Sequence, residues 1–445
     1  MLRIGCGAGF SSDRLEPAVD LAERGRLDFL VFECVGERTL AFGHRDRKLD
    51  PSKGYNPQLA ARMRAVLGPA RANGTRIVTN MGVANVPAAG EVVIAVAREL
   101  GLEGLKVACV EGDEVTHLMT PATPLFDNHD RPIAAVGRPL AGANAYLGVD
   151  AILPALASGA DVVITGRVAD PSLFLAPIVH RFGWHQDDWA RLGQGTLVGH
   201  LMECGMQITG GYFADPGDGR KDVPCLADCG FPIAEVAGDG TATITKLAEA
   251  GGCVTSRTVK EQLLYEVHDP AAYLTPDVTA DFSAVRMAET GRDRVRVEGA
   301  GGRPRPEQLK VTVGFDGGFL GEAGISYAGP GAAGRARLAA EILAERLTRK
   351  HLPANTLRID LIGLNSLYQT AGLNAELSED VRVRVALRSM QRDVCEWMLW
   401  EVESLLCCGP AGGGGYRGQI TPSVVTHSTL IDRAAVTPSV RLLVA

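Results

Sequence analysis

Polar and charged side chains follow four apolar segments in the first part of the sequence. The segments are LDFLVF, TRIVT, LKVACV and ADVVITG, and each has the near-continuous apolar character of a strand that is buried on both faces. Because ligands bind beyond the carboxyl ends of parallel strands, these residues are predicted to share one pocket and to carry the chemistry. The six candidate catalytic residues are Glu33, Asn80, Glu111, Asp113, Arg167 and Asp170.

These residue types suit proton transfer next to a carbonyl group. Glu33 or Glu111 would act as the base, since burial raises the pKa of a carboxyl group toward neutrality. The amide of Asn80 or Asn144 would stabilise the enolate that develops on the carbonyl oxygen. The alternative for Glu33 is a structural one, in which its carboxylate accepts hydrogen bonds from the amides of a neighbouring loop.

Arg167 also has two interpretations. Its planar guanidinium group could clamp a substrate carboxylate or phosphate, or it could pair with Asp170 three residues later.

Seven further residues are candidates for substrate binding. The GCGAGFSS loop departs from the dinucleotide fingerprint because its third glycine comes too early, and it is either a tight turn or a set of amides that holds an anion. AGANAYLG places two polar residues at a predicted helix start, where Asn144 is either the N-cap or an oxyanion donor. The segment CCGPAGGGGYRGQ is either disordered or a cover for the phosphates of a ligand. The seven residues are Gly7, Gly9, Ser11, Asn144, Tyr146, Tyr416 and Arg417.

The elements that position these residues alternate between strand and helix up to about residue 200. Strands separated by helices need crossovers, so the sheet is predicted to be parallel, with flanking helices, and open rather than closed into a barrel. After residue 230 the strands lose their helices and indicate an α+β lobe with a largely antiparallel sheet. The predicted domains are 1–230, a parallel α/β domain with the pocket at its strand ends, and 231–445, an α+β domain.

Composition excludes several classes of protein. The formal net charge is −7 over 445 residues, so nothing attracts nucleic acid globally, and no apolar run is long enough to span a bilayer. MLRIGCGAGF enters a strand directly without a signal sequence, which predicts a cytoplasmic protein. A symmetric homo-oligomer is the default for such an enzyme. No cofactor is implied, although Glu33, Glu111, Asp113 and Asp170 could hold Mg²⁺ through oxygen ligands.

Several segments in order resemble one family. GCGAGFSSDR, FECVGERT, TNMGVANVP, VEGDEV, ITGRVADPSLF and ECGMQITGGYF, followed by EQLLYEVHDPAAYLTPDV, are similar to the acyclic terpene utilisation AtuA family. The resemblance implies a role in the breakdown of branched terpenoid acids through CoA thioesters. It also implies a small, separately encoded partner, an AtuA-like module of ferredoxin fold. It carries no set of catalytic residues.

Three functions follow as hypotheses. The first is a lyase, hydratase or hydrolase that uses acid/base chemistry on a small carboxylic acid or an acyl-CoA thioester. The second is a non-catalytic or half-site subunit that works only with the ferredoxin-fold partner. The third is an NAD(P)-dependent oxidoreductase in which Glu33 contacts a ribose, against which the spacing of the glycines counts.

Overall fold

The computed structural model describes residues 1–349, 356–367 and 377–445. By their contacts these residues form two compact units, one of residues 1–314 with 426–445 and the other of residues 315–425. The strands are β1 (Leu2–Ala8), β2 (Phe29–Phe32), β3 (Arg76–Thr79), β4 (Lys106–Glu111), β5 (Pro124–Leu125), β6 (Arg131–Pro132), β7 (Leu140–Ala145), β8 (Val162–Thr165), β9 (Pro232–Val236), β10 (Ala242–Lys246), β11 (Tyr273–Leu274), β12 (Thr279–Asp281), β13 (Arg286–Gly291), β14 (Arg294–Glu298), β15 (Gly301–Arg303), β16 (Gln308–Ala328), β17 (Leu357–Ile362), β18 (Asp380–Ser389), β19 (Gly414–Asp432) and β20 (Ser439–Val444). The helices are α1 (Glu16–Arg24), α2 (Glu37–Leu49), α3 (Leu59–Ala72), α4 (Val86–Glu99), α5 (Val149–Ala157), α6 (Ser172–Phe182), α7 (Trp189–Glu203), α8 (Ser256–Leu264), α9 (Ala332–Arg349) and α10 (Arg392–Cys408).

The first unit is built on an open ten-stranded sheet with the order β13-β14-β10-β9-β1-β2-β3-β8-β4-β20. The five central strands, β1, β2, β3, β8 and β4, pair in parallel. The flanking strands on both sides are antiparallel to their neighbours. This confirms the predicted fold class, and the carboxyl ends of the central strands meet at one edge, as in other open α/β sheets.

The central strands are apolar on both faces because helices cover both. In β2, Phe29 and Val31 belong to one core cluster, whereas Leu30 and Phe32 belong to another. Successive side chains of a strand point to opposite faces, so the two clusters lie on the two sides of the sheet. The near-continuous apolar runs seen in the sequence therefore have a direct structural cause.

The change of rhythm after residue 230 marks a change in pairing. Strands β9, β10, β14 and β13 follow one another as an antiparallel extension of the same sheet, bonded to β1 through β9. Among the described residues, no helix is long and apolar enough to cross a membrane.

The second unit has an antiparallel sheet in which β18 pairs with both β16 and β17. Its core includes Tyr327, Leu343 of α9, Val383 and Met398 of α10, all of which are buried. This is the α+β architecture predicted for the later part of the chain. The sequence pattern predicts a helix from Gly334 to Lys350; helix α9 covers Ala332–Arg349, and Lys350 lies outside the described residues.

Several local predictions were wrong. The segment SSDRLEPAVDLAERG predicts a helix with a serine as N-cap residue, but α1 begins at Glu16 and its N-cap residue is Leu15. The segments LKVTVGF and FLGEAGISYAG form one strand, β16, instead of two. Of the two alternatives for the segment CCGPAGGGGYRGQ, disorder does not describe its second part, because strand β19 begins at Gly414.

Candidate functional site

A pocket of about 590 Å³ lies beyond the carboxyl ends of β1, β2 and β8. The first strand supplies a loop, the second ends directly before Glu33, and the turn after β8 carries Arg167 and Asp170. Five of the residues predicted from the sequence line this pocket: Gly9, Ser11, Glu33, Arg167 and Asp170. The expectation that strand ends would bring these residues together agrees with this geometry.

Glu33 is held in one orientation by the protein. Its Oε1 accepts hydrogen bonds from the backbone N–H of Val35 at 2.8 Å and from Nδ2 of Asn80 at 2.9 Å. Within the described residues, no protein group donates to Oε2 of Glu33. Burial, with a smaller contribution from the negative charge of Asp170, raises the pKa of Glu33 to about 8. A carboxyl group with this pKa exchanges protons readily near neutral pH.

Asn80 positions Glu33 rather than the substrate. The amide is fully buried; its Oδ1 accepts from the backbone N–H of Cys34 at 2.7 Å while its Nδ2 donates to Glu33. With both ends occupied by the protein, this geometry leaves Asn80 no free donor for an enolate. It fixes the carboxyl group in the pocket wall instead.

The guanidinium group of Arg167 is buried and already has protein partners. Nη1 donates to the backbone oxygen of Val35, and Nη2 lies 3.2 Å from Oδ1 of Asp170, an ion pair without hydrogen-bond alignment. Its Cζ lies 4.0 Å from the centroid of the Tyr146 ring, within the range of a cation–π interaction. Both interpretations drawn from the sequence thus remain relevant, since Arg167 pairs with Asp170 and also lines the pocket.

Asp113 and Asn144 form a support behind Arg167. Oδ2 of Asp113 accepts from the backbone N–H of Arg167 and from Nδ2 of Asn144, each at 2.7 Å. Oδ1 of Asn144 is hydrogen-bonded to His44. Burial raises the pKa of Asp113 to about 6, and neither Asp113 nor Asn144 lines the pocket. Asn144 lies in β7, so the prediction of a helix start there was wrong.

Tyr146 connects Arg167 to a second acid, Glu37. The tyrosine hydroxyl donates to Oε1 of Glu37 at 2.7 Å, and Nζ of Lys310 lies 3.2 Å from the same oxygen. Burial raises the pKa of Glu37, but Arg167, the Tyr146 hydroxyl and Lys310 outweigh it and bring the pKa to about 2. Glu37 is therefore ionised at neutral pH, and it balances the charge of Arg167.

Four of the predicted residues lie elsewhere. Glu111 is at the end of β4, where its Oε1 is 3.5 Å from Nε of Arg441 on the neighbouring β20. Gly7 is buried against the Phe32 ring. Tyr416 and Arg417 belong to the second unit, in β19, where the Tyr416 hydroxyl donates to the backbone oxygen of Leu399. The structure thus groups Glu33 with Arg167 and leaves Glu111 apart.

The loop after β1 uses its amides for an internal anion. Oδ2 of Asp13 accepts from the N–H of Gly9, and Oδ1 accepts from the N–H of Arg14, each at 2.8 Å. Burial raises the pKa of Asp13, although these hydrogen bonds oppose the shift. The amide of Gly9, one of those that the sequence offered for a substrate anion, is therefore already occupied by a carboxyl group of the chain. Ser11 nearby accepts from Nδ2 of Asn56 through its hydroxyl oxygen, which leaves the hydroxyl hydrogen to donate.

His200 and Glu203 form a buried pair on α7, and Glu203 lines the pocket. Nε2 of His200 lies 3.1 Å from the backbone oxygen of Leu263, which can only accept, so Nε2 carries the hydrogen. Burial lowers the pKa of His200 to about 4, so the ring is neutral and Nδ1 is an acceptor. Oε1 of Glu203 lies 3.1 Å from Nδ1, and burial raises the pKa of Glu203. Glu203 is therefore a neutral carboxylic acid that donates to His200.

Replacing Glu203 by glutamine tests this protonation state. A glutamine amide can donate to Nδ1 of His200 as the neutral acid does, so E203Q is expected to change the free energy of unfolding at pH 7 by no more than about 1 kcal/mol. Glu203→Met removes the donor and is expected to cost about 1–3 kcal/mol. Urea denaturation of both variants measures the difference. A loss of several kcal/mol in E203Q would instead identify an ionised glutamate paired with a histidinium.

Sequence reasoning missed four acids of the pocket: Asp13, Glu37, Glu203 and Glu266. The spacing of His200 and Glu203 places both on one face of a helix and favours a satisfied buried pair, and the structure shows that contact. The missing signal was the position of the C-terminal end of α7 beside the first loop. In the structure, a Cβ on Gly9 would lie only 2.4 Å from the backbone carbon of Cys204.

Three residues that line the pocket each have a buried polar atom without a hydrogen-bond partner in the described part of the chain. Among the described residues, buried Nε of Arg167, Oδ1 of Asp170 and Oε2 of Glu203 have no hydrogen-bond partner. Each such atom costs about 1–3 kcal/mol when left unpaired, and native proteins contain few of them. Three such atoms beside one pocket indicate a site where a bound ligand would supply the missing hydrogen bonds.

The geometry does not support the predicted magnesium site. Within residues 1–349, 356–367 and 377–445, no three histidine, cysteine or acidic side chains are grouped closely enough to hold a metal ion. Of the four acids proposed as ligands, Glu33 and Asp170 line the pocket, whereas Glu111 and Asp113 do not.

Comparison with known proteins identifies the family of this chain but no individual relative. No curated protein matches the chain, and no solved structure matches it. The family model described as acyclic terpene utilisation family protein AtuA matches residues 2–442. That match spans the segments that build the pocket, from the loop after β1 to the C-terminal end of α7. The chain therefore belongs to the acyclic terpene utilisation AtuA family.

Proposed function

We propose that this chain is an enzyme that removes a proton from the carbon next to the carbonyl group of an acyl-CoA thioester, in lyase or hydratase chemistry of acyclic terpene utilisation. The observation that carries the proposal is Glu33, a buried pocket carboxyl group with a pKa of about 8 and one oxygen free of protein partners. A base of this pKa is strong enough to take a proton, and it is partly ionised at neutral pH.

The charge of the pocket favours a thioester over a free carboxylate. Six carboxyl groups line it, those of Asp13, Glu33, Glu37, Asp170, Glu203 and Glu266. Among the described lining residues, Arg167 is the one basic side chain, and it is paired with Asp170. A substrate carboxylate would find the one basic side chain already paired and would lie near the ionised Glu37, which is costly in a buried site. A neutral thioester carbonyl would not have this electrostatic cost.

A neighbouring groove supports CoA as the carrier. This groove, of about 710 Å³, shares Tyr265 and Glu266 with the pocket. Its lining carries four basic side chains and three acidic ones, so it is net positive and suits phosphate groups. The basic residues are Arg220, Lys221, Arg257 and Lys260. Phosphates bound there would lie beside the acid-lined pocket without entering it.

The remaining side chains have roles that follow from their contacts. Oε2 of Glu33 takes the proton, and the electron pair of the broken C–H bond moves to the thioester oxygen. Ser11 can donate its hydroxyl hydrogen to that oxygen. Glu203, a neutral acid on the same pocket, can protonate a group that leaves from the next carbon. Arg167 keeps Glu33 acidic enough to ionise, since its charge lowers the pKa of that carboxyl group.

Exchange with heavy water tests the proposal directly. In D₂O, saturated acyl-CoA thioesters are expected to take up deuterium at the carbon next to the carbonyl, measured by mass spectrometry. Because the ionised form of Glu33 is the base, the rate should rise with pH, reach half its maximum near pH 8 and level off above that pH. The matching free acids should exchange far more slowly. No exchange above the uncatalysed rate at pH 8, across acyl chains of different length, would contradict the proposal.

A further inference from the structure

A second cavity, of about 770 Å³, lies beside the acid-lined pocket. Its volume is within the range of about 300–1,000 Å³ that holds small organic ligands. Ten of its sixteen lining residues are apolar or aromatic, in contrast to the carboxyl groups of the first pocket. The largest of them are Phe126, Tyr146, Tyr273, Leu274, Leu309 and Leu430.

Three residues join the two cavities. Asp170 lines both. Tyr146 lines the apolar cavity, and its ring contacts the guanidinium group of Arg167, which lines the acidic pocket. The Tyr273 ring lies 5.2 Å from the ring of His200, the partner of Glu203. The apolar cavity therefore adjoins the pocket in which the proposed proton transfer takes place.

The apolar cavity leaves large hydrophobic side chains open to solvent. Leu274 is 68% exposed, and Phe126 and Leu430 are each 47% exposed. Single exposed apolar residues are ordinary, but a group around one cavity marks a binding surface. Covering them with a hydrocarbon would contribute about 25 cal/mol per Å² of apolar surface buried. A polar ligand would gain none of this hydrophobic contribution.

We infer that this apolar cavity binds the hydrocarbon chain of the acyl substrate while its thioester lies in the acid-lined pocket, with Asp170 at the junction. The inference rests on the proposed function for the identity of the thioester. The position of the hydrocarbon chain follows from the difference between the acidic lining of the first pocket and the apolar lining of the second cavity. A ligand with a polar head and an apolar tail is the class that matches both cavities. The relation of the family to acyclic terpenes, which are hydrocarbon chains, agrees with this occupant.

Affinity for a long and a short acyl chain tests the inference without turnover. Decanoyl-pantetheine and acetyl-pantetheine would be titrated calorimetrically into E33Q, which should be inactive and so leave the thioesters intact. The decanoyl compound is expected to bind about a hundredfold more tightly, because several additional methylene groups are buried. In E33Q carrying Leu274→Asp and Leu430→Asp, its affinity should fall about tenfold or more, with acetyl-pantetheine unchanged.

Leu338→Asp in the same background is the matched control, since Leu338 is 48% exposed on α9 and does not line the cavity. It should leave both affinities unchanged. The inference is overturned if the aspartates weaken both compounds equally, or weaken neither. Failure of the proposed function is a separate result, because deuterium exchange could be absent while the chain-length preference and its loss persist.

Discussion

Glu33→Gln is expected to lower the turnover of an acyl-CoA thioester by about a hundredfold or more, the usual contribution of a positioned base. Glutamine has nearly the same shape and can keep an oxygen toward the N–H of Val35 and Nδ2 of Asn80. It cannot take a proton. The measurement is kcat and kcat/KM at pH 8 together with the rate of deuterium exchange, and both should fall by the same factor.

Glu111→Gln provides the matched control for this experiment. Glu111 follows a neighbouring strand of the same sheet, but it pairs with Arg441 and does not line the pocket. Its replacement should leave turnover within about twofold of the original enzyme, since surface ion pairs contribute little. Equal losses in both variants, or full activity in E33Q, would remove Glu33 as the base.

The contrast between these two glutamates shows what sequence could predict. Both follow apolar runs, and the parallel sheet and its strand ends could be inferred from the spacing of strands and helices alone. For Glu33 and Arg167 this was enough, because β2 and β8 lie in the middle of the sheet with parallel neighbours on both sides. The sequence pattern around a strand predicts its surroundings best when both neighbouring strands are parallel to it.

Glu111 could not be placed in this way because its environment depends on a distant segment. Strand β20, near the end of the sequence, pairs antiparallel with β4, so that Ser439 is opposite Glu111 and Arg441 lies close enough to bind its carboxyl group. Nothing near residue 111 in the sequence indicates that pairing. The contact between Lys310 and Glu37 has the same origin, since almost three hundred residues separate them.

The prediction of a helix start at Asn144 was wrong for a different reason. The segment AGANAYLG contains small residues that fit a helix start, but in the structure Ala145 donates a backbone hydrogen bond to Asp113, and Tyr146 donates one to Lys310. One partner follows β4 and the other lies in β16, and both are far along the chain from Asn144. Tertiary hydrogen bonds therefore outweighed local preference, and they put the amide of Asn144 on Asp113 instead of on a helix terminus.

Arg167→Met is expected to cost about 3–5 kcal/mol of unfolding free energy at pH 8, because it leaves buried acids without their cation. Arg167 is 3% exposed, and its charge lowers the pKa of Glu33, Glu37 and Asp170. Without it, these carboxyl groups hold protons in the folded state at pH values where the unfolded chain releases them. Stability must then fall as pH rises, since the folded state binds more protons.

The pH dependence separates this effect from lost packing. Urea denaturation should show a smaller cost at pH 5 than at pH 8, and Arg167→Lys, which keeps the charge, should recover part of the loss at pH 8. Arg191→Met is the control: its exposed pair with Asp188 should contribute no more than about 1 kcal/mol. A cost that is the same at both pH values and the same in the methionine and lysine variants would mean that Arg167 acts through its shape. In that case the charge of Arg167 would not be what keeps Glu33, Glu37 and Asp170 ionised.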